Sequence, residues 1–440
     1  MRSASEPSTA KPSTAEPSAA EPSASRQALR LGSLDGLRGA AAIIVLLHHL
    51  SMTIPAVSDG YDSSRNLETF SPAWWWVATP LKVLVAGPEF VLVFFVLSGF
   101  VLALAPLKAR EKSGVGSPGA RYDWWAYYPR RILRLGIPVV AAMAVSYVVI
   151  TVFPHPASAS DGSWLQRQAH PDTSVHNLWT ETLLIVDPHR PSIDPPLWSL
   201  TWEMWFSLLL PLVVLLAVWS RRLPVLWAAL FIGISVYGYV AHVDAAALLP
   251  AFGLGALLGA NAHRIRAFCD RWQGTRLLNV TFTAILISGP LLSICYWFIR
   301  PLTGPTGDDI LLAMRVPGAL LLVAAVAFWP AAGRVFATRP FTALGKVSFS
   351  LYLVHSPLVV LFGLNFAGSL WWLGAILALI TSFATAIGMY VLVERPSRRF
   401  AGWAGHRFAA AVTAVTRPLD VAVELDQHRS RLARDQALAS

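Results

Sequence analysis

Residues 90–106 read "FVLVFFVLSGFVLALAP" and carry no charged side chain. A helix rises about 1.5 Å per residue, so the apolar run around them, near 87–106, is about long enough to cross the roughly 30 Å hydrocarbon core of a bilayer. Nine further apolar runs lie near 37–54, 131–153, 197–219, 223–240, 243–259, 277–297, 309–328, 346–366 and 371–394. The sequence therefore predicts an all-α, polytopic membrane bundle of about ten transmembrane helices.

The overall composition favours the same class of protein. Hydrophobic residues make up 55% of the chain and charged residues 14%, whereas soluble proteins carry about 25% charged residues. We expect a multi-pass protein of the cell membrane, surrounded by the lipid bilayer. The two cysteines, Cys269 and Cys295, support neither a disulfide framework nor a cysteine-based metal site.

The basic residues are distributed unevenly along the predicted topology. The chain has 35 Lys+Arg and 25 Asp+Glu, a formal net charge of +10. With the N-terminus inside, 29 of the basic residues fall on the inner side of the membrane, five fall on the outer side and Arg315 lies within a span. Because cytoplasmic loops are enriched in Lys and Arg, both termini are predicted to be cytoplasmic. The charge is interpreted as a topology signal and not as nucleic-acid binding.

The sequence divides into two tails and one membrane domain. Residues 1–30 are rich in Pro, Ser and Ala, and the repeat "EPSTA KPSTA EPSAA EPSAS" at 6–25 has a proline in every unit, which predicts a disordered tail. Residues 31–400 hold the apolar runs. Residues 401–440 mix Ala and Val with arginines and could form a cytoplasmic surface helix.

The first apolar run, "LRGAAAIIVLLHHL" at 37–50, keeps ionisable residues at both ends. At 100° per residue, Arg38 and His49 differ by three turns plus about 20°, so they share a helix face, roughly 16 Å apart along the axis. His48 points about 80° away from that face. Each residue alone has an ordinary interfacial interpretation, but burial of ionisable groups is costly and a histidine suits a general base.

A glutamate lies at a similar depth in the fourth run. In "PPLWSLTWEMWF" (195–206), Glu203 comes about one and a half turns after the outer end of the helix. Its carboxylate could orient the imidazole of His49 or stabilise its protonated form. The alternative is a glutamate at the water interface among belt tryptophans.

Three arginines lie at the entry to the third run, in "YYPRRILRLGIP" (127–138). Arg130, Arg131 and Arg134 can be plain topology determinants. They can also form an anion site for a phosphate-bearing cofactor, because guanidinium groups bind phosphate bidentately.

Other polar residues within apolar runs are secondary candidates. Ser98, Ser348 and Ser350 are explained in large part by close helix contacts. His355 and Arg315 are candidates because polar and charged groups within a span are costly. The four histidines of the outer loop at 154–196 are irregularly spaced, so no metal site is expected there.

Taken in order, six blocks resemble the acyltransferase-3 family of integral-membrane O-acyltransferases. They are "LDGLRGAAAIIVLLHH", "FFVLSGFVLA", "YYPRRILRLGIP", "PPLWSLTWEMWF", "LGKVSFSLYLVH" and "VLVERPSRRF", and they cover about residues 31–400. The family's arginine and histidine, separated by ten residues, match Arg38 and His49. His48 stands where the family usually has an aromatic residue.

The resemblance implies transfer of an acyl group, often acetyl, from acyl-CoA to a hydroxyl of a carbohydrate or glycosylated acceptor. In this hypothesis His49 is the general base or the acyl carrier, Glu203 orients its imidazole, and Arg38 binds the donor with Arg130, Arg131 and Arg134. No metal is expected. The alternative hypothesis is a transporter or flippase whose buried Arg, His and Glu residues form a substrate or proton pathway.

Overall fold

The computed structural model describes residues 21–64, 67–112, 122–153, 156, 158, 160–185, 191–366 and 368–416, with only the backbone of residues 21–31 and 112. Throughout these residues the chain is helical or turns between helices, and no β-strand occurs among them. The predicted all-α fold is therefore confirmed.

The helices follow one another in chain order with short connections. Their bounds are α1 Glu21–Met52, α2 Pro55–Asp62, α3 Pro72–Val77, α4 Gly87–Lys112, α5 Trp124–Val152, α6 Ser163–Gln168, α7 Val175–Thr182, α8 Leu197–Trp219, α9 Pro224–Val240, α10 Asp244–Ala260, α11 Ala262–Arg271, α12 Arg276–Ile299, α13 Pro305–Ala313, α14 Arg315–Phe328, α15 Pro330–Phe336, α16 Arg339–Asn365 and α17 Trp371–Met389. A 3₁₀ helix, Pro80–Val85, precedes α4.

All ten predicted apolar runs are helical, but they are not equal in length. Within the described part of the chain, eight helices are long and apolar enough to cross a membrane, and α10 with α11, bent by 56°, makes a ninth. The tenth run is α9, whose 17 residues extend about 26 Å, less than a typical hydrocarbon core. The polytopic bundle is confirmed, and the sidedness of the termini stays a prediction.

Both predicted tails are partly helical. α1 begins at Glu21, so the predicted disorder is wrong for residues 21–30. Pro22 lies in the first turn of α1, where the missing N–H costs no intrahelical hydrogen bond. After α17 the chain makes a π-helical turn, Tyr390–Glu394, and stays helical to residue 416. Residues 1–20 and 417–440 lie outside the described residues.

The π-helical turn has a local cause in the sequence. Pro396 has no N–H to donate and its ring clashes with the carbonyl four residues earlier in a regular α-helix. A π turn widens the helix directly before this proline and is a common device at functional sites. Glu394, the last residue of the turn, is buried as a result.

Close packing of α1 on α16 depends on glycine. A Cβ atom at Gly345 would lie 2.1 Å from the carbonyl oxygen of Asp35, and one at Gly39 would lie 2.6 Å from the backbone nitrogen of Gly345. Small residues let helix backbones approach in this way within membranes. The contact fixes the register of the helix that carries Arg38 and His49 against the helix that carries His355.

Candidate active site

Two histidines from distant parts of the sequence meet between α1 and α16. The Nδ1 atom of His49 lies 2.9 Å from Nε2 of His355. The Nδ1 atom of His355 lies 2.9 Å from the carbonyl oxygen of Tyr352 and 3.0 Å from that of Leu351. Both histidines therefore face the α1–α16 interface.

The hydrogen bonds determine the tautomers of the neutral rings. A carbonyl oxygen only accepts, so Nδ1 of His355 carries the proton and its Nε2 accepts. Nδ1 of His49 must then donate to His355, which leaves the Nε2 atom of His49 with a free lone pair. A ring in this state is ready to take a proton.

His48 lies in a different environment. Its Nδ1 atom is 3.0 Å from the carbonyl oxygen of Val85, and its ring packs 5.4 Å from that of Tyr61. His48 is buried. Adjacent histidines thus have separate surroundings, in agreement with the helix geometry of the sequence.

A basic cavity of about 240 Å³ lies between α1, α4, α5, α8, α16 and the helical residues after the π turn. We call it the basic cavity, and its basic side chains are Arg38, Arg131, Arg134, Lys346 and Arg398. Two acidic residues, Asp35 and Glu203, also line it. Positive charge is in excess, so the basic cavity suits an anionic ligand.

Glu203 is bound within this cavity and not beside His49. Its Oε1 atom accepts from Arg131, 2.5 Å away, and from the hydroxyl of Ser98, 3.0 Å away. Arg131 also donates to the hydroxyl of Ser207 at 2.9 Å. The structure thus pairs Glu203 with the arginine of α5 and places His355, and not Glu203, beside His49.

The predicted arginine cluster is divided. Arg131 and Arg134 line the basic cavity, and so does Arg38, whose guanidinium lies 3.5 Å from Asp35. Arg130 is exposed and lies 3.3 Å from Nε2 of His406 on the C-terminal helix. Arg130 is not among the residues that line the basic cavity, so the structure separates it from Arg131 and Arg134.

Sequence reasoning missed several residues of this region. Glu394 accepts from Ser350 at 2.6 Å and also from Arg398. Lys346, Arg398 and Asp35 line the basic cavity. The blocks "VLVERPSRRF" and "LGKVSFSLYLVH" contain charged residues of this region. A charged residue near a helix end is, however, interpreted as a topology determinant as long as its partner is unknown. Ser348 lines the basic cavity too, and its hydroxyl donates to the carbonyl of Gly345 at 2.9 Å.

Arg315 belongs to a separate buried ionic cluster. Its guanidinium lies 3.2 Å from the carboxylate of Glu89, which accepts from the indole of Trp297 at 2.8 Å. The ammonium of Lys82 lies 3.7 Å from the same carboxylate, and both side chains have 0% exposure. Burial lowers the pKa of Lys82 to about 8, and the Glu89 carboxylate offsets part of that shift.

Aromatic rings connect the basic cavity with the histidine pair. Phe94 and Tyr352 line the basic cavity, with ring centres 5.8 Å apart. Tyr352 lies 5.9 Å from the ring of His355, which lies 4.9 Å from that of His49. The histidine pair is thus one ring beyond the wall of the basic cavity.

Among the described residues, no three His, Cys, Asp or Glu side chains are grouped closely enough to hold a metal ion. Of the four histidines in the loop at 154–196, His155 and His189 lie outside those residues.

The fold and the site define a polytopic membrane protein with a basic cavity beside a pair of histidines, of which His355 is buried and His49 half-buried. Residues 31–392 match the acyltransferase domain family, and the chain belongs to that family. The chain is also 24% identical over 413 residues to "Acyltransferase clz18" of Cochliobolus lunatus, covering 77% of this chain and 84% of that protein. No solved structure matches it. The protein is a membrane acyltransferase, and the predicted family is confirmed.

Proposed function

We propose that this protein transfers an acyl group, most simply acetyl, from acyl-CoA to a hydroxyl of a carbohydrate or glycosylated acceptor. The proposal rests on the basic cavity, which has five basic side chains and is connected to the histidine pair through Tyr352 in its wall. Both the family and the geometry support an enzyme that binds an anionic acyl donor.

The basic cavity suits the phosphates of coenzyme A. Arginine forms paired hydrogen bonds with phosphate oxygens. Arg134 lines the basic cavity, and so does Arg398, which is also paired with Glu394. Arg131 is held by Glu203 and Ser207, so it serves as a fixed positive charge. The acyl end of the donor then points towards Phe94 and Tyr352, on the side of the histidine pair.

His49 is the proposed base. Its Nε2 atom takes the proton of the acceptor hydroxyl while the hydroxyl oxygen attacks the thioester carbonyl carbon. The carbon–sulfur bond breaks, and the proton passes from Nε2 to the leaving thiolate. His355 holds the ring of His49 through the 2.9 Å hydrogen bond and fixes its tautomer.

His49 can also accept the acyl group first and pass it to the hydroxyl in a second step. The two routes differ in whether an acylated protein forms without an acceptor. Rapid acid quenching of the purified protein with labelled acetyl-CoA alone distinguishes them. Label on a peptide that contains His49 supports the two-step route.

The test of the proposed function is turnover by the purified full-length protein. Labelled acetyl-CoA is supplied with methyl glucoside, methyl galactoside, methyl rhamnoside or methyl glucosaminide, and we expect labelled glycoside and free coenzyme A in equal amounts. The His49→Ala variant at the same concentration is the control. Release of thiol without an acylated glycoside would indicate a thioesterase. If neither free thiol nor acylated glycoside forms, the proposed donor is contradicted.

A further inference from the structure

A second cavity of about 680 Å³ lies beside the basic cavity. It is bounded by the first turns of α4, α8 and α10, by α7, and by Arg315 at the start of α14. Its volume lies within the range of roughly 300–1,000 Å³ that is usual for small-molecule sites. We call it the tryptophan cavity, after Trp198 and Trp202 on its wall.

The wall of the tryptophan cavity has the chemistry of a sugar site. Trp198 and Trp202 are half-buried and present flat apolar rings to the cavity. Their indole N–H groups, and the exposed carboxylate of Asp244, have no hydrogen-bond partner among the described residues. A hexose offers one apolar face and several hydroxyls, so rings together with free donors and acceptors complement it.

The charges of the tryptophan cavity are opposite to those of the basic cavity. Glu181 is committed to the backbone N–H groups of residues 192–194. Arg315, the basic side chain that lines this cavity in the described part of the chain, is paired with Glu89 at 3.2 Å. Glu89 is shared with Lys82, which lies 3.7 Å away, so one positive charge remains in that cluster. The carboxylates of Glu181 and Asp244 together outweigh it, and the surroundings of the cavity keep an excess of negative charge. An anionic ligand is therefore disfavoured.

Only one layer of side chains separates the two cavities at the start of α8. Trp198 lines the tryptophan cavity and Phe95 lines the basic cavity, and their ring centres are 6.2 Å apart. The next residue, Ser199, lines the basic cavity and lies 2.7 Å from the hydroxyl of Tyr352. The first turn of α8 is therefore a common wall.

We infer that the tryptophan cavity binds the acceptor, and that it takes a neutral sugar or an amino sugar and discriminates against uronic acids and phosphorylated sugars. This inference rests on the proposed function, because it assigns the second substrate of that reaction. The anionic donor and the uncharged or cationic acceptor then occupy cavities of opposite charge on the two sides of one wall.

The binding site is tested by photo-crosslinking to the full-length protein, which needs no turnover. The probes are methyl glucoside, methyl glucosaminide and methyl glucuronide that carry an alkyl diazirine, each with and without an excess of the unmodified glycoside. We expect competed labelling of peptides from α7, α8 and the start of α10. We expect the glucuronide to label about tenfold less than the other two.

Single substitutions test which side chains of the tryptophan cavity contribute to binding of the glycoside. Trp202→Ala should reduce competed labelling by about tenfold, and Asp244→Asn should reduce glucosaminide labelling more than glucoside labelling. Trp205→Ala is the control, because Trp205 lies on the same helix, is 44% exposed and does not line the tryptophan cavity. Its labelling should equal that of the wild type.

The outcomes separate this inference from the proposed function. If glycosides are acylated but the labelled peptides lie outside the tryptophan cavity, or no labelling is competed, the inference is wrong and the proposed function stands. Competed labelling at the cavity without turnover supports the sugar site and contradicts the acyl transfer. Equal labelling by the glucuronide overturns the charge selectivity.

Discussion

His49 and His355 are 306 positions apart in the sequence, yet their Nδ1 and Nε2 atoms are 2.9 Å apart. The backbone carbonyls of α16 fix the proton on His355, and His355 in turn fixes the proton on His49. In the proposed mechanism His355 orients His49 as a carboxylate does in many general-base sites, but as a neutral group.

Replacement of either histidine should affect the chemical step. We expect His49→Ala to lower kcat by about 10²–10⁴-fold, because it removes the base. His355→Leu should lower kcat by about tenfold or more, with an unchanged KM for acetyl-CoA, because it releases the ring of His49 and touches no donor. Steady-state kinetics at matched protein abundance measure both effects. A His355→Leu enzyme with wild-type kcat would show that the 2.9 Å hydrogen bond has no catalytic role.

His48→Phe should separate activity from stability. Phenylalanine keeps an aromatic ring at this position, and His48 is not in contact with His355, so kcat should stay within about threefold of wild type. The variant loses the hydrogen bond to Val85 in a buried position. We therefore expect a loss of about 1–2 kcal/mol of stability, seen as a lower Tm in detergent. Loss of turnover with an unchanged Tm would assign a catalytic role to His48.

The basic cavity predicts which arginines bind the donor. Arg38→Ala and Arg134→Gln should raise the KM for acetyl-CoA by about tenfold or more, because each removes a charge from the basic cavity. Arg38→Lys should restore little, since an ammonium lacks the planar fork of donors. Arg130→Gln is the matched control, because Arg130 is next in sequence but lies outside the basic cavity. An equal effect of Arg130→Gln would mean that surface charge and not the cavity binds the donor.

The fold could be predicted from the sequence because crossing a bilayer requires long apolar helices, and each such helix is recognisable as a long run of apolar residues. The division of α10 and α11 and the π turn were not visible. A bend of 56° depends on tertiary packing. Pro396 indicates that the helix is disturbed at this place, but the single extra residue of a π turn leaves no periodic signal that would identify it.

The site could be predicted only where one helix carries the information. Arg38, His48 and His49 lie on α1, so helix geometry alone separated the two histidines. The partner of His49 depended on which helix packs against α1, and depth alone suggested Glu203. The glycine contact at Gly345 decides this in favour of α16. The pair of the buried Glu394 with the exposed Arg398 was missed, because a charged residue looks the same in sequence whether it is solvated or paired.

That glycine contact makes a prediction about the whole site. A Cβ at Gly345 would lie 2.1 Å from the carbonyl oxygen of Asp35, so Gly345→Ala must push α1 away from α16. Overpacking of this kind costs about 1–3 kcal/mol, and it also separates His49 from His355. We expect a lower Tm and a kcat lowered by about tenfold or more. Gly136→Ala is the control, because no atom lies within 4 Å of a Cβ at Gly136. Wild-type kcat and Tm in Gly345→Ala would contradict the close contact.

The proposed reaction also requires a definite orientation in the membrane. Acyl-CoA is cytosolic, and the uneven distribution of basic residues predicts that both termini are cytoplasmic. Val175 in α7 and Val415 near the end of the C-terminal helix are each 70% exposed, so cysteines at these positions can react. The native Cys269 and Cys295 are buried and are replaced by alanine.

We expect a membrane-impermeant maleimide to label Val175→Cys in intact cells, and to label Val415→Cys only after the membrane is permeabilised. The two variants share one background and serve as each other's control. The reverse pattern would place the C-terminal helix, which carries Arg398 of the basic cavity, outside the cell. Acyl-CoA could not then reach the basic cavity from the cytosol by the proposed route, and the assignment of that cavity to a cytosolic donor would be wrong.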